Sequence, residues 1–141
     1  MEYYFYLVIA YIIGSIPFGL CVCKICGYGD IRTMGSGNIG TTNVLRTGNK
    51  ALALLTLIFD SGKGAFAVLF ISYLTYNPTL GAICGVFAVI GHNFPIWLKF
   101  RGGKGIATSL GTALAINPMI GCIALGEIGR ASCRERVSSP V

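Results

Sequence analysis

A chain of 141 residues in which 54% of side chains are hydrophobic and only 11% charged departs from the roughly 25% charge of a soluble domain. With a mean hydropathy of +0.72 and 20 glycines, it reads as an all-α integral membrane protein, a polytopic transmembrane helix bundle with about four spans, because small residues let helices approach closely in lipid. The net charge of +6 lies largely in loops beside apolar runs, which points to a membrane surface and anionic small molecules, with no nucleic-acid partner expected.

A membrane-crossing helix needs about 20 mostly apolar residues. Residues 3–23 form the first run, with Gly14-Ser-Ile-Pro17 expected to kink it. Glu2 and its aromatic neighbours are not the basic start of a signal peptide, and no small-residue cleavage site follows, so this span is expected to stay in the mature protein. Cys21, Cys23 and Cys26 lack the second ligand cluster of a metal site and read as apolar filler; no metal and no cofactor are expected. Residues 51–76 form the second span, broken by Asp60-Ser-Gly-Lys-Gly64. Residues 79–98 form the third, with His92 near its end, after an uncharged turn at Thr75-Tyr-Asn-Pro78. Residues 106–125 form the fourth, with Asn117-Pro118 inside it.

Charge orients these spans. Residues 24–50 carry Lys24, Arg32, Arg46 and Lys50 against Asp30, and the loop after the third span carries Lys99, Arg101 and Lys104 without an acid. The positive-inside rule places both loops in the cytoplasm and the N-terminus outside, so the loops share one membrane face and one composite site. Residues 1–125 follow this pattern; residues 126–141 do not. Residues 127–137 read as a translated sequencing adapter, so 126–141 is expected to be a non-native tail that cuts the chain short near Gly126. Without the tail's three arginines and two glutamates, eight basic and three acidic residues remain, net +5, so the basic loops do not depend on it.

Both loops have the chemistry of a phosphate site. In the second, Lys99, Arg101 and Lys104 surround Gly102, Gly103 and Gly105 just before a helix, with Thr108 and Ser109 in its first turn. Glycines let backbone N–H groups converge, and a helix N-terminus favours an anion. A basic anchor at the lipid headgroups would explain the cations but not three glycines among them. The spacing is not that of a P-loop. In the first loop Ser36, Asn38, Thr41, Thr42, Asn43 and Arg46 alternate with Gly35, Gly37 and Gly40, a density of amides and hydroxyls suited to a small polyol phosphate. Arg46 offers a planar fork to phosphate; Ser36 is a nucleophile, a donor or a helix N-cap. Asp60 and Lys63, three apart, share a helix face and form a structural ion pair or touch substrate. His92, the sole histidine, is a general base or a partner for backbone freed by Pro95; the His-x4-Asp pair of soluble acyltransferases is absent, since Trp97 stands five residues on.

Ser36-Gly-Asn-Ile-Gly-Thr-Thr-Asn-Val-Leu-Arg46, Asp60-x-x-Lys-Gly64 and the run from Gly91 through Gly102-Gly-Lys-Gly105 to Thr108 resemble the bacterial acyl-phosphate:glycerol-3-phosphate acyltransferases, over residues 1 to about 125. The resemblance implies a multi-pass enzyme of the bacterial plasma (inner) membrane. It would move a fatty acyl group from acyl phosphate to the sn-1 hydroxyl of glycerol 3-phosphate, making lysophosphatidic acid for phospholipid synthesis. No acyl-CoA, acyl carrier protein or metal is implied; acyl phosphate, glycerol 3-phosphate and membrane lipid are the expected partners. Ser36, Arg46, Lys104 and His92 are then the catalytic candidates. Asn38, Thr41, Asn43, Asp60, Lys63, Arg101, Gly102, Gly103, Gly105 and Thr108 are the substrate-binding candidates. A third polar motif of the family has no counterpart here, so this chain is expected to be an incomplete and inactive enzyme. A small anion transporter or a non-enzymatic membrane scaffold is the competing expectation. Oligomeric state and acyl-chain preference have no signature in the sequence.

Overall fold

The computed structural model describes residues 2–138, and among them every regular element is helical. The expected non-native segment at 126–141 is therefore described only as far as residue 138. Helix α1 (Glu2–Gly14) and helix α2 (Phe18–Ile25) together make one apolar stretch of 24 residues. Pro17 has no N–H to continue the ladder, and Ser15 Oγ donates back to the Tyr11 carbonyl at 2.8 Å, so the expected kink is a full break between two helices. After a 3-10 turn at Ile31–Thr33 comes the short helix α3 (Thr41–Leu45).

Helix α4 (Lys50–Thr75) starts at Asn49, whose side chain accepts the Leu52 N–H at 3.1 Å. It runs unbroken through Asp60-Ser-Gly-Lys-Gly64, contrary to the sequence expectation. Glycine costs about 1 kcal/mol in a helix interior, but here Gly64 is buried against α6, and that contact outweighs the lost propensity. Tyr76, at φ 50°, ends the helix in the left-handed region. Asn77 then caps helix α5 (Pro78–Asn93) with Pro78 at its first position, and the chain returns along α4. A 3-10 turn at Ile96–Leu98 leads into helix α6 (Ile106–Ile116). The expected fourth span is split: Asn117 breaks from helical geometry and helix α7 (Pro118–Ser138) begins at the proline.

Among the described residues, three stretches are long and apolar enough to cross a membrane: Glu2–Ile25, Lys50–Thr75 and Pro78–Leu98; α6 is a shorter apolar helix. Their outward side chains, Leu54, Phe66, Leu69, Tyr73 and Val86 among them, are exposed as in a lipid-facing bundle. The interfaces use small residues. Gly14 lies on the Ala88 backbone between α1 and α5, and Gly111 lies on the Ser61 carbonyl between α6 and α4. One buried cluster (Ala10, Ala67, Ile71, Leu80, Cys84, Ala88) holds α1, α4 and α5 together within the membrane. A second (Leu20, Cys23, Ile31, Ile39, Val44, Leu52, Ala53) roots the first loop on α2 and α4, and Leu98 of the second loop packs on it. Both predicted loops therefore stand at one end of the bundle.

Candidate functional site

The first loop is organised from within by Asn43. Its Nδ2 donates to the carbonyls of Ile31 (2.8 Å), Asn38 (2.8 Å) and Met34 (3.1 Å), and its Oδ1 accepts the Ser36 N–H at 3.2 Å. The side chain is buried, its Nδ2 shared among three carbonyls and its Oδ1 accepting one N–H. Asn43, expected among the substrate contacts, shapes the loop from within. Ser36 is not a helix N-cap either, since α3 begins at Thr41 after Gly40; Ser36 is exposed on the loop surface. Arg46 is exposed and folds across Gly35, where a Cβ would come within 2.7 Å of Arg46 Cδ. Asn38 Oδ1 and Thr41 Oγ1 are buried without a hydrogen-bond partner, two polar atoms held ready for one.

Arg32 differs from the other cations of this end. Its guanidinium grips Asp30 through Nε at 2.9 Å and Nη2 at 2.6 Å, while Asp30 Oδ1 also accepts the Arg32 N–H at 2.9 Å. These bonds hold the Asp30 carboxyl down to about 2. Among the described residues, no carboxylate pairs with Lys24, Arg46, Lys50, Lys99, Arg101 or Lys104, so the positive potential of this end is uncompensated.

The second loop is built differently from expectation. Gly102 N–H donates to the Asn93 carbonyl and Gly103 N–H to the His92 carbonyl, each at 3.1 Å. Those two amides close the loop onto the last turn of α5 and are not aimed at an anion. Glycine is needed because a Cβ on Gly102 would strike the His92 carbonyl, and one on Gly103 the His92 ring at Nε2. Lys99 (φ 53°) and Phe100 (φ 62°) adopt left-handed geometry in succession, costing roughly 1–2 kcal/mol each. Bonds from Leu98 and Phe100 N–H to the Pro95 carbonyl (3.1 and 3.0 Å) hold this turn, which leaves Lys99, Arg101 and Lys104 exposed. Gly105 (φ 73°) precedes α6 and supplies no capping side chain, so the helix N-terminus is left open beside Lys104. Thr108 was expected to add a hydroxyl there; instead it is fully buried against Gly64 of α4, with Oγ1 unpartnered.

Beneath the loops three ionisable groups meet inside the bundle. Lys63 Nζ lies 3.1 Å from Asp60 Oδ1, and His92 Nδ1 lies 3.7 Å from the same oxygen. The Asp60 and Lys63 side chains are each 2% exposed, and His92 is 4% exposed with Nε2 turned to Gly103. His92, Asp60 and Lys63, expected among the catalytic and substrate-binding residues, lie buried together beneath the loops. Asn93 was missed by sequence reasoning. Its Oδ1 is buried and unpartnered, and a Cβ on Gly105 would collide with it. The available signal was its position next to His92 at a helix end.

The family profile described as glycerol-3-phosphate acyltransferase matches residues 4–139. The chain belongs to that family. A glycerol-3-phosphate acyltransferase of Paramagnetospirillum magneticum is 50% identical over 129 residues, covering 92% of this chain and 64% of the relative. Another, from Rhodospirillum rubrum, is 57% identical over 112 residues, covering 74% of this chain and 52% of the relative. The crystal structure of PlsY, an integral membrane glycerol 3-phosphate acyltransferase in its glycerol 3-phosphate form, superposes with a TM-score of 0.77 at 35% identity. That match covers 87% of this chain and 62% of PlsY. Its lysophosphatidic acid form gives a TM-score of 0.75 at 33% identity. The chain thus spans about half to two-thirds of the length of these family members.

Proposed function

We propose that this chain serves transfer of a fatty acyl group from acyl phosphate to the sn-1 hydroxyl of glycerol 3-phosphate, giving lysophosphatidic acid and inorganic phosphate. The setting is the bacterial plasma membrane, with both loops cytoplasmic by the positive-inside rule. The observation that carries this reading is a bundle end whose loops carry six cations that no carboxylate among the described residues pairs with, together with an uncapped helix N-terminus next to Lys104. Family membership and the PlsY likeness support the same reading. Residues 1–125 are read as the acyltransferase bundle and 126–141 as a segment foreign to it; residues 127–131 are exposed and the space around Gly126 and Gly129 is empty, although the family profile extends to residue 139.

An acyl phosphate is a mixed anhydride, so its carbonyl needs little activation. The acceptor hydroxyl oxygen attacks the acyl carbon, the bond from that carbon to the phosphate oxygen breaks, and the hydroxyl proton goes to the departing phosphate. What the protein supplies is orientation and charge, since two anionic substrates repel each other. Lys104, Arg101 and the first turn of α6 take one phosphate; Arg46 takes the other, with Ser36 as a hydroxyl donor. Asn38 and Thr41 offer their unpartnered oxygens to the glycerol hydroxyls. No acyl-enzyme is required.

Because this chain by itself is expected to be inactive, the test supplies membranes containing residues 1–125 continued by the remaining length of a full family member, with glycerol 3-phosphate and either palmitoyl phosphate or palmitoyl-CoA, and follows products by mass spectrometry. Lysophosphatidic acid is expected from palmitoyl phosphate alone. Product from palmitoyl-CoA alone would overturn the donor, and product from neither would overturn the transfer.

A further inference from the structure

Asp60, Lys63 and His92 take no part in the transfer just described, yet they form a connected polar group in the bundle interior. Lys63 Nζ continues past Asp60 to donate to the Ile16 carbonyl at 2.8 Å, beside the break that Pro17 makes in the first span. The same ammonium lies 5.6 Å from the centre of the Phe18 ring, on the far side of that break. At the other end, His92 presents Nδ1 to Asp60 and Nε2 to Gly103, while its own carbonyl accepts the Gly103 N–H at 3.1 Å. A line of close polar contacts therefore runs from the α1–α2 break through α4 and α5 to the turn that carries Lys104, hydrogen-bonded at its two ends by Lys63 to the Ile16 carbonyl and by Gly103 N–H to the His92 carbonyl.

Stability alone does not account for such a path. A buried ion pair recovers little beyond its desolvation cost, and well-packed apolar residues of equal volume often hold a fold as well or better. Directional polar links do what apolar contacts cannot: they fix the rotation and register of one helix against another. Here Lys63 joins α4 to the α1–α2 break by a hydrogen bond, while Asp60 Oδ1 and His92 Nδ1, 3.7 Å apart and each without a hydrogen-bond partner, face each other between α4 and α5 as an electrostatic contact.

We propose that Asp60, Lys63 and His92 act together as a positioning strut that sets the Gly102–Gly105 turn, and with it Lys104, at a fixed place over the bundle. The three are positioning residues, not catalytic ones, and the inference rests on the reading of that turn as a phosphate site.

The test measures binding of radiolabelled glycerol 3-phosphate to the protein in lipid nanodiscs, alongside thermal unfolding followed by the single Trp97. The variants are His92→Phe, the paired Asp60→Asn/Lys63→Met, and Lys63→Arg, with Lys104→Ala as the control for the site itself. Asp60→Asn/Lys63→Met removes both charges at once and so avoids an unpaired buried ion. The strut predicts at least tenfold weaker binding in His92→Phe and Asp60→Asn/Lys63→Met at unchanged unfolding temperature, with binding restored toward native in Lys63→Arg. Native affinity in both of the first two variants, with Lys104→Ala impaired, overturns the strut. So does a loss of affinity that only follows a matching loss of thermal stability. Native affinity in Lys104→Ala, or no binding by the native protein, overturns the phosphate reading instead.

Discussion

Lys63 Nζ donates to the carbonyl oxygen of Ile16 at 2.8 Å, across 47 residues of sequence, joining the middle of α4 to the break in the first span. Because Lys63 also pairs with Asp60 at 3.1 Å, removing either partner leaves a charge inside the bundle with nothing to offset it. Lys63→Ala and Asp60→Ala are each expected to destabilise by ~3–5 kcal/mol. Removing both costs less than the sum of the two. A double-mutant cycle by thermal unfolding in detergent checks this, and additive losses would contradict the pairing.

Gly64 is the second pressure point of α4. A Cβ there would stand 2.5 Å from the Thr108 carbonyl oxygen and 2.6 Å from Thr112 Oγ1, with backbone on one side that cannot yield. Gly64→Leu should separate α4 from α6, costing about 1–3 kcal/mol or more. Size-exclusion in detergent reads the folded fraction, which should fall well below that of the lipid-facing control Leu69→Ala.

Asn43 carries the first loop. Asn43→Ala removes the donors to the Ile31, Met34 and Asn38 carbonyls, at ~1–3 kcal/mol for each buried group left unpaired. Limited proteolysis should then cut faster at Arg32 and Arg46 than in the native protein. Asn43→Asp keeps the shape without the donors and should fail in the same way.

Much of this bundle was legible in the sequence, for identifiable reasons. Span lengths follow from apolar runs, so residues 79–98 correspond to α5 and the 3-10 turn after it. The Asp60–Lys63 pairing follows from i,i+3 geometry. What was misread depended on contacts distant in sequence. Asp60-Ser-Gly-Lys-Gly64 reads as a break because local propensity carries no sign of Thr108 and Thr112 waiting on α6. Gly102 and Gly103 read as an anion nest because their N–H groups look free until the end of α5 is placed beneath them. Asn43 reads as a ligand contact because its partners lie five to twelve residues upstream, in a loop with no periodic signal.

Asp30 gives a pH signature outside the membrane spans. Its carboxyl is held at about 2 in the fold against 3.8 for the free group, by hydrogen bonds from Arg32. A lowered folded value means the stabilisation is complete above 3.8 and is lost as pH falls toward 2. Hydrogen exchange at the Arg32 amide should be slower in the native protein than in Asp30→Asn at pH 7. The difference should fade between 3.8 and 2. A difference that persists at the acid limit would contradict the ionic origin.

The central claim is that Lys104, held open beside the N-terminus of α6, binds the phosphate on which acyl transfer depends. Its most direct test is the rate of lysophosphatidic acid formation from palmitoyl phosphate in membranes carrying residues 1–125 continued to full family length, with native Lys104 or Lys104→Ala, at equal folded amounts. Loss of a charge-assisted phosphate contact in the transition state should slow transfer by about 100-fold or more. A rate in Lys104→Ala within twofold of native would contradict the account.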